Sequence, residues 1–410
     1  MKTHTTFIMS KIYIKLCLLL LPTLMCAQGI WSTASTDGLT PRAYPCAAQV
    51  DGKIYLMGGF ANILASGSRN DCEVYDPVSD SWTTPETTGS FTARGGATAS
   101  AINSKIYVIG GSDISSTSLN LVQVLDPAKG SWTSLKPSGN FTARNRHVSA
   151  IIDGLIYIIG GSQQSTYISK VEVYNPSTNT WNTESTTGTF TPRRGSAVAV
   201  VNNKIYVFGG FNGVQYFNIM EVFDPTTNTW STPTVTNEPI PRGGAVASVI
   251  DGQIYIIGGY SNGMLPENID KFDPNTNTWS EVSTTGTFTT RSGATATIVN
   301  GKIYVIGGGQ SDPIAAYNEV LSIKSLGIKS EESSDFQLSP NPTNSIIKVN
   351  GLPEHTQHVS IINMLGVSMI EIKKPNTHQC ELDLSGLPCG VYLAKITTSE
   401  STITKLVVKQ

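Results

Sequence analysis

The feature that most constrains this chain is that it repeats itself. The stretch from Arg193 to Trp230 reads RRGSAVAVVNNKIYVFGGFNGVQYFNIMEVFDPTTNTW. An arginine opens an apolar run, Ala197 to Val201, and Asn202-Asn203 turns the chain. A second run, Ile205 to Phe208, ends in the doublet Gly209-Gly210. A third run, Ile219 to Phe223, stops at Asp224-Pro225, and a polar turn leads to Trp230. These are four short strands, each closed by turn chemistry. The leading arginines are Arg42, Arg94, Arg144, Arg193, Arg242 and Arg291, at intervals of 52, 50, 49, 49 and 49 residues. The glycine doublets, starting at Gly58, Gly110, Gly160, Gly209, Gly258 and Gly307, keep the same intervals.

A period of about fifty residues with four strands in each unit resembles the kelch repeat. The resemblance spans roughly residues 28 to 325. It implies a β-propeller with one four-stranded sheet per blade around a central channel. Six arginines and six doublets give six blades. The tryptophans decide how the ring closes. They are Trp31, Trp82, Trp132, Trp181, Trp230 and Trp279, so one precedes the first arginine and the last unit has none. Trp31 is therefore expected on the outer strand of the blade that starts at Arg291, which removes a seam of unpaired edges.

Within each unit the second run is apolar at every position, as in Ile54 to Met57 and Ile303 to Ile306, so it is expected to be covered on both faces. Tyrosine stands second in all six of these runs. Asp-Gly, Asn-Gly, Asn-Ser and Asn-Asn pairs precede them and suit tight hairpins. Hairpin geometry then sorts the loops. Short turns share one face. The loops after the glycine doublets and those entering each blade at its arginine share the other, and it is there that a binding site is expected.

The two ends read differently. Residues 1–27 carry Lys2, Lys11 and Lys15, a short apolar core from Leu16 to Leu21, and Met25-Cys26-Ala27 before Gln28. This is the pattern of a signal peptide, too short to span a bilayer. Met9 is an alternative start, and Met25 is a poor neighbour for lipid attachment at Cys26. After Ile323 the period stops, and residues 326–335 read as a polar linker. Residues 336–410 form a second unit of short strands around Gly and Pro, expected to be a small β-sandwich. That unit resembles the type A C-terminal sorting domain of type IX secretion cargo. The matching points are Pro340-Asn341-Pro342, Gly366, the LSGLPCGVYL run from Leu384 to Leu393, and the tail from Lys405 to Gln410. The resemblance implies a Gram-negative host, passage through the periplasm, and delivery to the cell surface or the medium through the type IX machinery, which residues 336–410 would engage. The expected fold is thus all-β: a six-bladed kelch β-propeller followed by a small C-terminal β-sandwich sorting domain.

Charged residues make up 14 % of the chain and the net charge is −2, with no basic run, so no nucleic-acid partner is expected. Cys46 and Cys72 fall on the first and third strands of one blade, with a strand between them, so they are not expected to pair. Cys380 and Cys389 flank a short strand, and their pairing stays open. No spacing suits zinc.

Residues repeated in every blade read as scaffold. These are the six arginines and, on the third strands, Glu73, Gln123, Glu172, Glu221, Asp270 and Glu319. Departures from the repeat are more informative. After the leading arginine most blades carry small residues, but Tyr44, Arg146, His147 and Arg194 break that pattern. Guanidinium groups at the inner rim suit a carboxylate. The loops after the doublets add Phe60, Tyr167, Phe211, Tyr216 and Tyr260, aromatic faces that suit a sugar or a peptide. These nine residues are the candidate ligand site.

Enzyme readings are narrowed by composition. His147 is the one histidine of the propeller segment, and no G-x-S-x-G or P-loop motif is present. A copper centre like that of the kelch-related galactose oxidases needs two histidines together. No metal or other cofactor is expected. The resulting expectation is a monomeric, secreted or surface-bound binding module for a glycan or protein. The alternative is a metal-free sugar enzyme, since six-bladed bacterial kelch proteins include sialic-acid mutarotases, which bind a carboxylated sugar.

Overall fold

The structure is a computed structural model, and it describes residues 29–62, 67–323, 336–352, 355–363, 368–373, 375, 378–398 and 402–409. The expected signal peptide (1–27), the linker (326–335) and Gly366 lie outside the described residues. Contacts divide the chain into two compact units, Met1–Lys324 and Ser325–Gln410. Among the described residues every regular element is a strand.

The first unit is a six-bladed propeller. Its fourth blade shows the plan: Ala197–Val201, Lys204–Phe208, Met220–Asp224 and Thr229–Ser231 pair antiparallel in sequence order. Blades one, two, three and five repeat it. The turn before each second strand has both central residues at positive φ, as at Asn202 (50°) and Asn203 (57°), the geometry of a type I′ hairpin. First strands touch their neighbours in a closed cycle, with blade six against blade one.

Blade six is completed by the N-terminal strand. Thr295–Val299, Lys302–Ile306 and Asn318–Ile323 supply three strands, and Gly29–Thr33 supplies the fourth, placing Trp31 opposite Leu321. A fifth element follows that the repeat pattern did not foretell. Thr284–Thr285 pairs parallel with Gly29 and Ile30, so the closing strand is held on both edges. Isolated parallel bridges stand at four other seams, as at Thr88 with Ser131 and Thr187 with Thr229, so the pairing at blade six extends a contact that recurs around the ring.

Between blades the apolar layers are continuous. The tyrosine of a second strand packs against an aromatic ring on the third strand of the next blade: Tyr107 on Tyr174 (5.9 Å between centroids), Tyr157 on Phe223 (6.2 Å) and Tyr206 on Phe272 (6.2 Å). At the closing seam Tyr304 meets Tyr75 at 5.8 Å. This explains why tyrosine recurs at that position: its ring fills the wedge between sheets.

The second unit is a β-sandwich. A three-stranded sheet (Gln337–Ser339, Ile346–Asn350, Gln379–Asp383) faces a four-stranded one (Ser368–Lys373, Thr356–Ile362, Gly390–Thr398, Thr402–Lys409). Both contribute to one core that includes Phe336, Ile347, Val349, Val359, Ile361, Leu382, Ala394 and Ile396. Cys46, Cys72, Cys380 and Cys389 are all free. Cys46 and Cys72 flank Met57 on opposite sides of the strand between them, as expected.

Candidate functional site

The six leading arginines are fully buried, and each reaches the third strand of its own blade. Arg42 pairs with Glu73, Arg144 with Glu172, Arg193 with Glu221, Arg242 with Asp270 and Arg291 with Glu319. Arg94 instead meets the neutral Gln123, whose Oε1 accepts from Nη1 at 2.5 Å. The guanidinium groups also donate to backbone carbonyls, as Arg193 Nε does to Gly209 at 2.6 Å. Burial drives down the pKa values of Arg94 (to about 10), Arg144 (to about 9), Arg193, Arg242 and Arg291. The six arginines are blade clamps, which agrees with the scaffold reading. One element of the clamp went unread in the sequence. Phe91, Phe141, Phe190 and Phe288, each three residues before an arginine, stack on Trp132, Trp181, Trp230 and Trp31 at 4.2–4.6 Å. Each arginine then lies over its own phenylalanine. The F-T-x-R spelling was the available signal.

Two residues after each arginine the backbone closes a ring at the axis. Gly96 N–H donates to Tyr44 O (2.9 Å), Arg146 to Gly96 (2.7 Å), Gly195 to Arg146 (2.8 Å), Gly244 to Gly195 (2.7 Å), Gly293 to Gly244 (2.9 Å) and Tyr44 to Gly293 (2.6 Å). All six residues hold φ between 50° and 69°. Glycine adopts this left-handed conformation at little cost, and four of the six are glycine. Tyr44 and Arg146 are the exceptions, at a cost on the order of 1–3 kcal/mol each. Their side chains use space the glycines leave. A Cβ on Gly293 would lie 2.9 Å from the Tyr44 ring, and one on Gly96 would lie 3.1 Å from Arg146 Cγ. The two meet with the Arg146 guanidinium 3.9 Å from the Tyr44 ring centroid, a cation–π contact.

Beside this pair opens a cavity of about 150 Å³. Arg146 and Arg194 bound it, Gly195, Gly243 and Gly244 contribute to its lining, Phe211, Tyr216 and Tyr260 form a run of aromatic rings, and Tyr44 and Ser292 complete it. Phe211 and Tyr216 pack at 4.6 Å, and Tyr216 meets Tyr260 edge-on at 5.7 Å. The loops that carry them are tied by the entry-loop bridges Arg194–Phe211 and Gly243–Tyr260, which confirms that both loop sets share one face. No acid lines the cavity, and among the described residues neither arginine forms an ion pair. Burial and then the charge of Arg146 lower the pKa of Arg194. The site therefore holds two cations at close quarters without a counter-ion.

Six of the nine candidates, Tyr44, Arg146, Arg194, Phe211, Tyr216 and Tyr260, thus line one cavity. Tyr167 stands behind it, its ring 5.8 Å from the Arg194 guanidinium. Two candidates are elsewhere. Phe60 is 1 % exposed and pressed against Gly95, so it supports the Tyr44 loop (6.4 Å, edge-on) and cannot touch a ligand. His147 is buried between blades two and three, where its Nε2 meets Thr98 Oγ1 at 3.1 Å. The ring also lines the axial cavity along the first strands, apart from the cavity at the rim.

Burial and the nearby Arg144 hold the His147 pKa at about 3, so the ring is neutral in the fold. Protonation then favours the unfolded chain. The stabilising difference is complete above about pH 6.5 and is lost as pH falls toward 3, at about 1.4 kcal/mol per unit. Urea unfolding should show wild type losing roughly 2–3 kcal/mol more than His147→Gln between pH 7 and pH 4.5. Equal pH slopes would overturn this account.

Larger axial cavities of about 320 and 390 Å³ lie along the first strands, lined mostly by Ala, Ser, Thr and Val. Neither carries a carboxylate, lysine or arginine, although His147 lines the first, and a further pocket of about 410 Å³ is lined by Glu238, Glu267, Asp270 and Arg242.

Comparison with known proteins agrees with this architecture. A model of the KLHDC2/KLHL20/DRC7 kelch-repeats domain matches residues 17–161 and 146–331. The chain belongs to the kelch-repeat family. A model of the secretion system C-terminal sorting domain matches residues 337–410. The protein is therefore a kelch propeller exported to the cell surface or the medium by type IX secretion, and its sorting domain engages that machinery. Among curated relatives, an F-box/kelch-repeat protein of Arabidopsis thaliana is 48 % identical over 42 residues, 10 % of this chain and 12 % of that protein. The N-acetylneuraminate epimerase of Pasteurella multocida is 36 % identical over 72 residues, 17 % of this chain and 19 % of that enzyme. The chain thus aligns with less than a fifth of the length of either relative.

Proposed function

We propose that the propeller is an extracellular binding module that takes a carboxylate-bearing glycan in the cavity beside the axis. The observation that carries this reading is the pair Arg146 and Arg194, two guanidinium groups without a counter-ion that share the cavity with a run of aromatic rings. A carboxylate would neutralise the pair through forked hydrogen bonds, and the rings of Tyr216 and Tyr260 would cover an apolar sugar face. The strain held at Tyr44 and Arg146 supports a functional rather than a structural origin for these two residues, because glycine serves the ring elsewhere.

Titration calorimetry with N-acetylneuraminate and glucuronate, with glucose as the neutral control, tests this. Acidic sugars should bind, and Arg194→Ala should weaken them tenfold or more, in line with about 1.5–3 kcal/mol for a hydrogen bond to a charged group. Equal affinity for glucose, or no effect of Arg194→Ala, would count against the proposal.

A sugar-epimerising enzyme is the second reading, favoured by the stretch shared with the N-acetylneuraminate epimerase. The cavity lining argues against it. It includes no carboxylate or imidazole for proton transfer, and burial raises the pKa of Tyr216 away from neutrality. Anomer exchange of N-acetylneuraminate followed by NMR separates the readings: binding without acceleration supports the module, and catalysed exchange supports the enzyme.

A further inference from the structure

The last strand of the sorting domain, Thr402–Lys409, is an edge strand. It pairs with Gly390–Thr398 on one side, and no strand pairs with its other side among the described residues. Part of that open side is taken by a side chain. Asn341 Nδ2 donates to Leu406 O at 2.7 Å, and Val408 N–H donates to Asn341 Oδ1 at 2.9 Å. One carboxamide thus supplies the donor and the acceptor that a residue of a neighbouring strand would supply. Two residues on, Thr343 N–H donates to Val408 O at 2.9 Å, and Thr343 forms a parallel bridge with Lys409. The Thr343 side chain is buried and bonded to Ile346 O at 2.7 Å, which fixes the segment. At the domain's start, Phe336 O accepts from Lys405 Nζ at 2.5 Å, with that ammonium over the Phe336 ring at 4.4 Å. The first residues of the domain therefore grip its last strand at three successive points.

We infer that Asn341 is a positioning residue for export: its carboxamide holds the C-terminal strand in the register and place in which the type IX machinery takes it. The address is then a folded object, assembled from both ends of the domain, rather than the linear tail alone. Asn341 itself need not touch the machinery for this. An edge strand held on one side only is free to fray or to pair with another chain, and the clamp removes both options between Leu406 and Lys409. Alanine at 341 would leave the Leu406 carbonyl and the Val408 amide without partners.

The test uses the full chain in a host with type IX machinery. Asn341→Ala should raise the exchange rate of the Val408 amide at least tenfold and the periplasmic fraction of the protein severalfold, with the propeller melting as in wild type. Asn341→Asp keeps the acceptor and loses the donor, so it should fall between the two, and it decides the matter if the alanine variant leaves the domain unfolded. Tyr392→Phe, which removes the hydrogen bond from that hydroxyl to Pro388 O (2.8 Å), is the stability control. It should export normally at a comparable loss of domain stability. Wild-type export by Asn341→Ala with fast Val408 exchange would overturn the inference. So would an export defect in Tyr392→Phe equal to that of Asn341→Ala at matched stability.

Discussion

Deleting Gly29–Thr33 should open the propeller and lower its stability by several kcal/mol. Five residue pairs tie this strand to Glu319–Ile323, and Thr284–Thr285 holds its other edge. Trp31 is 4 % exposed and stacked on Phe288 at 4.5 Å. Truncating that tryptophan alone is worth about 3–5 kcal/mol, and the deletion adds the loss of a whole ladder. It also uncovers the edges of Asn318–Ile323 and of Thr284–Thr285, so the truncated chain should associate as well as unfold early. Urea unfolding and light scattering on the full chain and the deletion check both effects. Equal midpoints would mean that the axial ring, with the Tyr44–Gly293 bond at the closing seam, suffices to hold the circle.

Much of this architecture was legible because it repeats. Six copies of one pattern average out local ambiguity, so the arginines, the doublets and the turn pairs located strands that a single copy would leave uncertain. The displaced Trp31 then announced the closure. The Thr284–Thr285 strand was not legible. Two threonines in a polar connection look like any loop, and the parallel pairing they make recurs as single bridges at other seams without a strand-like sequence to mark it. The site was legible in part for a related reason. Tyr44, Arg146 and Arg194 stood out as breaks in the repeat, and the structure gathers them. His147 broke the repeat too, yet its ring is buried against Thr98 of the neighbouring blade, and nothing in its own neighbourhood of the sequence tells a buried break from an exposed one. Phe60 makes the same bridge, to Ala43, that Phe211 and Tyr260 make to their entry loops, yet its ring packs against Gly95 and is buried away from the cavity.

The clamps carry the second large effect, and the chain itself contains the comparison that predicts it. In blade four the Arg193 guanidinium donates to Glu221, to Gly209 O at 2.6 Å, to Thr191 O at 2.8 Å and to Val207 O at 3.2 Å. Arg193→Met fills the volume but leaves Glu221, itself 3 % exposed, and three carbonyls without their donor. Removing one partner of a buried pair costs about 3–5 kcal/mol. Blade two shows the opposite change. Gln123 replaces the acid, yet its Oε1 still accepts from Arg94 and from Thr92 N–H (3.0 Å), while its Nε2 donates to Ser90 O (3.0 Å) and Ser134 Oγ (2.8 Å). Thr189 stands in blade four where Ser90 stands in blade two. Glu221→Gln should therefore cost only about 1 kcal/mol, the scale of one net hydrogen bond. The guanidinium would stay cationic and hydrogen-bonded, as Arg94 does. Chemical denaturation of the two variants decides between the parts of the clamp. A large loss for Arg193→Met with a small loss for Glu221→Gln assigns the stability to directed hydrogen bonding across the blade. Losses of equal size would assign it to charge pairing instead, and would make Gln123 the weak point of the ring.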